Sequence, residues 1–220
     1  MSQSRTLTPE QAGTAQLPVG SYRINEAFYS VQGEGVLAGT PMVFVRFAHC
    51  NLRCSAANAG FNCDTEFESG RVLTAAEVVE LVADTGPPGF AGWVLLTGGE
   101  PALQLNKALI RELKAAGYML AIETNGTIKL PAGLDWVCVS PKSADHTLRQ
   151  RQADEYKLVR VQGQALPLDW PVKAEHWVVS PGFAADGTVQ RSDVEWCVNL
   201  VKENPQWRLS LQIHKLLGVR

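Results

Sequence analysis

No run in this sequence approaches the roughly 18 consecutive apolar residues that a membrane-spanning helix needs, so no membrane span is expected. Nor is there an excess of basic charge. Lys and Arg number 20 against 22 Asp and Glu, a net charge of −2, and no field argues for nucleic acid. The first twenty residues, MSQSRTLTPEQAGTAQLPVG, lack the apolar core of a secretory leader, which points to a cytoplasmic protein. That stretch is polar and rich in Thr, Gln and Gly. It reads as a flexible arm over 1–20, followed by a single domain over 21–220. A phosphate cradle is missing as well, because the TGGEP at 97–101 is not followed by Gly-x-x-x-x-Gly-Lys. There is no nucleophile-elbow motif. The histidines His49, His146, His176 and His214 form no close-spaced metal pair.

Cysteine is scarce but concentrated. Three of the five, Cys50, Cys54 and Cys63, lie at gaps of three and eight residues in HCNLRCSAANAGFNC. Cytosolic thiols are normally reduced, so structural disulfides are a poor account of them. Thiolates are soft ligands that suit zinc or iron–sulfur clusters. Structural zinc wants four protein ligands, and His49 could be the fourth. A cubane cluster has four irons, each usually held by Cys, so three cysteines would leave one iron open to a small molecule. Spacing alone does not separate the two. Cys138 and Cys197 sit in strand-like and helix-like runs, DWVCVS and VEWCVNLV, and read as small buried hydrophobes.

Strand patterns occur at 41–48, 93–96, 118–123, 136–140, 155–161, 176–180 and 207–213. Helical periodicity occurs at 74–84, with Thr74 and Glu77 at capping-box spacing. It recurs at 105–117, closed by Gly117, and at 192–204, where Ser192 and Glu195 share the same spacing. Short apolar strands interleaved with helices imply an α/β protein with a mostly parallel sheet. Three helices are too few for a complete eight-fold barrel, so a partial, open (β/α) barrel is expected. Polar, Gly- and Pro-bearing segments follow the strands: TGGEP, TNG, SPK, SPG and HK. In parallel α/β folds that carboxyl edge is where sites are built.

The segments FYSVQGEGVLAGTPMVFVRFAHCNLRC, CDTEF, LLTGGEP, IETNGT, VSPK and LSLQIHKLLG span residues 28–218 in that order. Together they resemble the radical S-adenosylmethionine enzymes, and among these the 7-carboxy-7-deazaguanine synthase family of queuosine and 7-deazapurine biosynthesis. TGGEP with an upstream cysteine triplet marks the wider class; VQGEG and CDT mark the family. One departure stands out: that family has two residues between its second and third cysteines, where this chain has eight, SAANAGFN.

The resemblance implies a radical SAM partial barrel of about six core parallel strands. Cys50, Cys54 and Cys63 would hold a [4Fe-4S] cluster whose open iron binds S-adenosylmethionine. One-electron cleavage would yield a 5′-deoxyadenosyl radical that abstracts hydrogen from C6 of 6-carboxy-5,6,7,8-tetrahydropterin. Ring contraction and loss of ammonia would follow. Thr65 would contact Mg²⁺, for which a hydroxyl is a suitably hard ligand. Val31, Gln32, Gly33, Glu34, Arg46, Thr97 and the terminal Arg220 match substrate positions. Asn62, Asp64, Gly99, Glu100, Ser140, Pro141, Lys142 and Gln212 match cofactor positions. Glu123 is not among the matched positions; at a strand end, it reads by itself as a residue that orients its neighbours. A flavodoxin or ferredoxin would supply the electron, and a homodimer would cover the open sheet. The competing functions are an activase that makes a glycyl radical on a partner protein, and a zinc-binding interaction module.

Overall fold

In the computed structural model the described residues are 17–55, 63, 65–142, 147–169, 171–184 and 186–219. The first element has no counterpart among the strands read above. Ser21–Val31 forms strand β1, burying Tyr22 and Ile24 on one side and Phe28, stacked on Phe44, on the other. Its pattern is broken by a register shift between Ile24 and Glu26, and Arg23, Asn25 and Glu26 dilute its apolar signal. β1 pairs antiparallel with Pro41–Phe47 (β2) and, on its other edge, with Arg71–Thr74 (β3). The short β3 has no counterpart among them either.

The remaining elements follow the expected alternation. Helix α1 is Ala75–Thr85, opened by a complete capping box between Thr74 and Glu77. Trp93–Gly98 is β4, and Lys107–Ala115 is α2, capped by Asn106 through the backbone N–H groups of Ala108 and Leu109. Met119–Thr124 is β5, Trp136–Val139 β6, Gln152–Arg160 β7 and Lys173–Pro181 β8. Arg191–Glu203 is α3, Trp207–Leu209 is β9 and Ile213–Leu217 is α4.

Two expectations are corrected. The last strand ends at Leu209, not 213: the chain leaves the ladder at Ser210, and Ile213 N–H donates to the Gly33 carbonyl at 2.9 Å, opening α4. Ser192 does not cap α3. The helix starts one residue earlier, with Gln190 as an N-cap that makes no side-chain bond, while Glu195 pairs with Arg191.

The strands form one sheet in the order β3-β1-β2-β4-β5-β6-β7-β8-β9. From β2 through β9 the pairings are all parallel, giving seven parallel strands. The ends do not meet, so the expected partial barrel is the fold. On one face, Val43, Val45, Val94, Leu96, Leu120 and Ile122 pack under α1 and α2. Tyr156, Leu158 and Val179 do the same with Cys197, Leu200 and Trp207. Cys138 and Cys197 are buried, as expected of small apolar residues. Because side chains alternate along a strand, the other face carries Met42, Leu95 and Ala121 low down and a polar row nearer the carboxyl edge.

Candidate active site

Sheet register builds that polar row. Arg46 of β2 stands beside Thr97 of β4. The pairing of Leu96 with Ile122 brings Thr97 level with Glu123 of β5. Glu123 lies beside Cys138, Cys138 beside Glu155, and Glu155 beside His176. Thr97 Oγ1 donates to Glu123 Oε2 at 3.2 Å. Arg46 is oriented by Glu26, at 3.5 Å, and lies over the Phe28 ring at 5.4 Å; Phe28 in turn stacks on Phe44.

The loop at 32–36 closes over this row. Gly35 N–H donates to Ser210 Oγ and Val36 N–H to Glu155 Oε2, both at 2.8 Å. A Cβ at Gly33 would run into the His214 imidazole, so the backbone there must be bare. Lys157 Nζ lies 2.6 Å from Glu34 Oε2 and 2.9 Å from Glu123 Oε1. Gln212 Nε2 donates to the other Glu34 oxygen at 2.7 Å. Burial alone would lower the Lys157 pKa, but the Glu123 and Glu34 carboxylates hold it well above the usual lysine value. Burial would likewise raise Glu123, yet the Lys157 charge holds it below the usual carboxylate range.

The cysteine loop leaves β2 directly. His49 turns the chain with φ 70, and its carbonyl accepts Glu100 N–H at 2.8 Å. Buried Asn51 locks the loop to the segment after β5: Asn125 Nδ2 donates to Asn51 Oδ1, and Asn51 Nδ2 to Thr127 Oγ1. All five cysteines are free thiols. Burial pushes the Cys50 thiol up to about 12 and raises Cys54 as well. Despite the eight-residue spacer, Cys63 N–H reaches the Cys54 carbonyl at 3.4 Å, so the ends of the insertion meet. Among the described residues, no three His, Cys, Asp or Glu side chains converge as the ligands of a single metal ion.

Two open cavities meet at this edge. One, of about 590 Å³, is lined by Val31, Gln32, Gly33, Glu34, Arg46 and Thr97, with Phe28, Phe44 and His214. The other, of about 1030 Å³, is lined by Cys50, Cys54, Cys63, Gly99, Ser140 and Lys142. Glu34, Thr65, Thr97, Gly98, Glu123 and Gln212 belong to both. All the described residues matched to substrate thus face one space, and most of those matched to cofactor face the other.

Two matched residues stand apart. Glu100 is fully buried and faces inward. Its carboxylate accepts from Thr124 Oγ1 and from the N–H groups of Asn125 and Ala102, and burial raises its pKa. Pro141 lines neither cavity, although its neighbours Ser140 and Lys142 do. Asn62, Asp64 and Arg220 lie outside the described residues. Lys157, Pro181 and Phe183 line the larger cavity and were not singled out from the sequence. A signal for Lys157 existed: a charged residue inside the strand-like run EYKLVRV must be paired to be buried. Glu123, at its strand end, lines both cavities and accepts from Thr97 and Lys157.

An unclosed, mostly parallel sheet carrying three free thiols at its carboxyl edge, beside a Gly-Gly-Glu-Pro turn, is the arrangement that the resemblance to radical S-adenosylmethionine enzymes implies. Curated relatives narrow the class. The chain is 42% identical over 198 residues to the 7-carboxy-7-deazaguanine synthase of Bacteroides thetaiotaomicron, covering 90% of this chain and 98% of that one. It is 40% identical over 221 residues to that of Nitratidesulfovibrio vulgaris, covering 90% and 99%, and 40% over 214 residues to that of Bradyrhizobium diazoefficiens, covering 91% and 100%. The chain belongs to the 7-carboxy-7-deazaguanine synthase family. Its fold is that of the crystal structure of QueE from Escherichia coli, with a TM-score of 0.64 at 22% identity over 88% of this chain and 95% of that one. No family model matches.

Proposed function

We propose that the chain converts 6-carboxy-5,6,7,8-tetrahydropterin to 7-carboxy-7-deazaguanine with loss of ammonia. The observation that carries this reading is the joining of the two cavities, thiols in one and Arg46 in the other, across Thr65, Thr97 and Gln212. The donor set fits a [4Fe-4S] cluster held by Cys50, Cys54 and Cys63. Each thiolate of a cubane binds a different iron, so the three need not meet at one point as a zinc site demands. S-adenosylmethionine would lie against Gly99, Ser140, Lys142 and Gln212, with Asn62 and Asp64 contributing from the cysteine loop. When bound, cluster and cofactor supply one-electron chemistry that abstracts hydrogen from the pterin.

The chain's own groups bind and orient. The Arg46 guanidinium presents a planar fork to the substrate carboxylate, held in place by Glu26 and Phe28. The Phe28–Phe44 stack offers a flat apolar wall for the ring. Gly33 and Gly99 allow bare backbone to approach the ligands. Thr65, common to both cavities, offers a hard oxygen to Mg²⁺, completed by substrate carboxylate and water. Arg220 supplies a further substrate contact. The electron comes from a flavodoxin or ferredoxin, the working form is a cytoplasmic homodimer, and residues 21–220 form one domain; of the arm expected over 1–20, residues 1–16 lie outside the described residues.

The test is anaerobic reconstitution with iron and sulfide, then assay with S-adenosylmethionine, reductant, Mg²⁺ and the carboxytetrahydropterin. The expected result is 7-carboxy-7-deazaguanine, lost in Cys63→Ala. Cofactor cleavage without that product would sink the substrate assignment. A colourless protein holding zinc would sink the radical chemistry too.

A further inference from the structure

Lys157 is a buried cation that the chemistry above leaves unused. It is 4% exposed, in the middle of β7. An ammonium is buried at a cost that only paired charges offset, and its partners here come from two other elements. Glu34 is on the loop over the site, and Glu123 is in β5, with Lys157 Nζ at 2.6 Å and 2.9 Å from their oxygens. The second Glu34 oxygen receives Gln212 Nε2 at 2.7 Å. A carboxylate only accepts, so the amide end turned to Glu34 must be the NH₂. The amide oxygen therefore faces elsewhere. Gln212 Oε1 is buried and accepts no hydrogen bond among the described residues, in a side chain that lines both cavities. A buried acceptor without a donor is costly.

We propose that Lys157 is a positioning residue: through Glu34 it holds the Gln212 amide so that Oε1 receives an N–H of the bound ligand. Without the ammonium, Glu34 and Glu123 would be two carboxylates repelling across the cavity floor. Glu34 would turn away, and the Gln212 amide would lose the partner that sets its orientation. The proposal rests on the function proposed above, which supplies two N–H sources. These are the amino and ring N–H groups of the reduced pterin, and the amines of S-adenosylmethionine.

The experiment is anaerobic calorimetric titration of the reconstituted full-length protein with each ligand separately. The variants are Gln212→Leu, Lys157→Met and the pair combined, with thermal melting to verify folding. Gln212→Leu is expected to weaken at least one ligand about tenfold, the loss of one hydrogen bond, and the ligand affected identifies the donor. Lys157→Met should weaken the same ligand, and the double variant should bind no worse than Gln212→Leu, because the lysine acts through the amide. If Lys157→Met does not fold, Lys157→Gln replaces it in the cycle. It removes the charge that holds Glu34 while keeping a polar group in the buried position, and the same non-additivity is expected. Losses that add in the double variant, or a Gln212→Leu protein that binds both ligands normally, overturn the proposal while leaving the reaction standing. A wild-type protein that binds neither ligand overturns the proposed function, and this proposal with it.

Discussion

At the scale of single residues, the site depends on close backbone approach. A Cβ at Gly99 would collide with the His49 carbonyl oxygen, which is already committed to Glu100 N–H. His49 itself holds a positive φ, so neither side yields easily. Gly99→Ala is expected to cost about 1–3 kcal/mol and to lower the iron and sulfide retained after reconstitution, read by denaturant titration and metal assay. Glu100 shows what a motif conceals. GGEP places it among cofactor-facing residues, yet its carboxylate turns inward to take three hydrogen bonds from the segments that carry the site. Glutamine has only one acceptor oxygen. Glu100→Gln is expected to lower stability by about 1–3 kcal/mol, with loss of melting temperature as the readout.

At the scale of elements, two helix starts with the same sequence signal behave differently. Thr74 completes a capping box with Glu77, whereas Ser192 lies inside α3 and caps nothing. Thr74→Ala is therefore expected to cost about 1 kcal/mol and Ser192→Ala close to nothing, a contrast that paired thermal melts would resolve. A second joint is pH-sensitive. Asp135, ahead of β6, binds Lys114 of α2 and accepts Leu120 N–H of β5. Burial acts to raise its pKa, but the Lys114 bond, the Leu120 N–H and the lysine charge together hold it below the usual value. The stability it contributes is full above its unfolded value, near 4, and is lost as pH falls through the lower folded value. Asp135→Asn should melt below wild type at pH 7, with the gap closing toward pH 3 and shrinking in high salt.

For the molecule as a whole, the question is whether the long cysteine loop still serves a cluster. The insertion's ends are bridged, Cys63 N–H to Cys54 carbonyl, and Asn51 anchors the loop from the other side. Replacing 55–61 with a single residue, which keeps Asn62 beside Cys63, is therefore expected to leave iron–sulfur content and cofactor cleavage within about twofold of wild type, since loops tolerate changes of length. A colourless shortened protein would show that the insertion itself shapes the site.

Periodicity, turn residues and motif order determined the parallel α/β class, most strand positions, the Thr74 cap and the cysteine triplet. All are local patterns that a chain carries without knowing its fold. β1 was not legible, because an antiparallel strand whose register shifts between Ile24 and Glu26 has a weak alternating signal. The early end of β9 was decided by a tertiary bond, Ile213 N–H to the Gly33 carbonyl. The Lys157–Glu34–Gln212 chain was decided the same way. Its members are 123 and 178 residues apart in sequence, and only sheet register and the closing loop bring the charges within hydrogen-bonding distance, where burial makes each depend on the other.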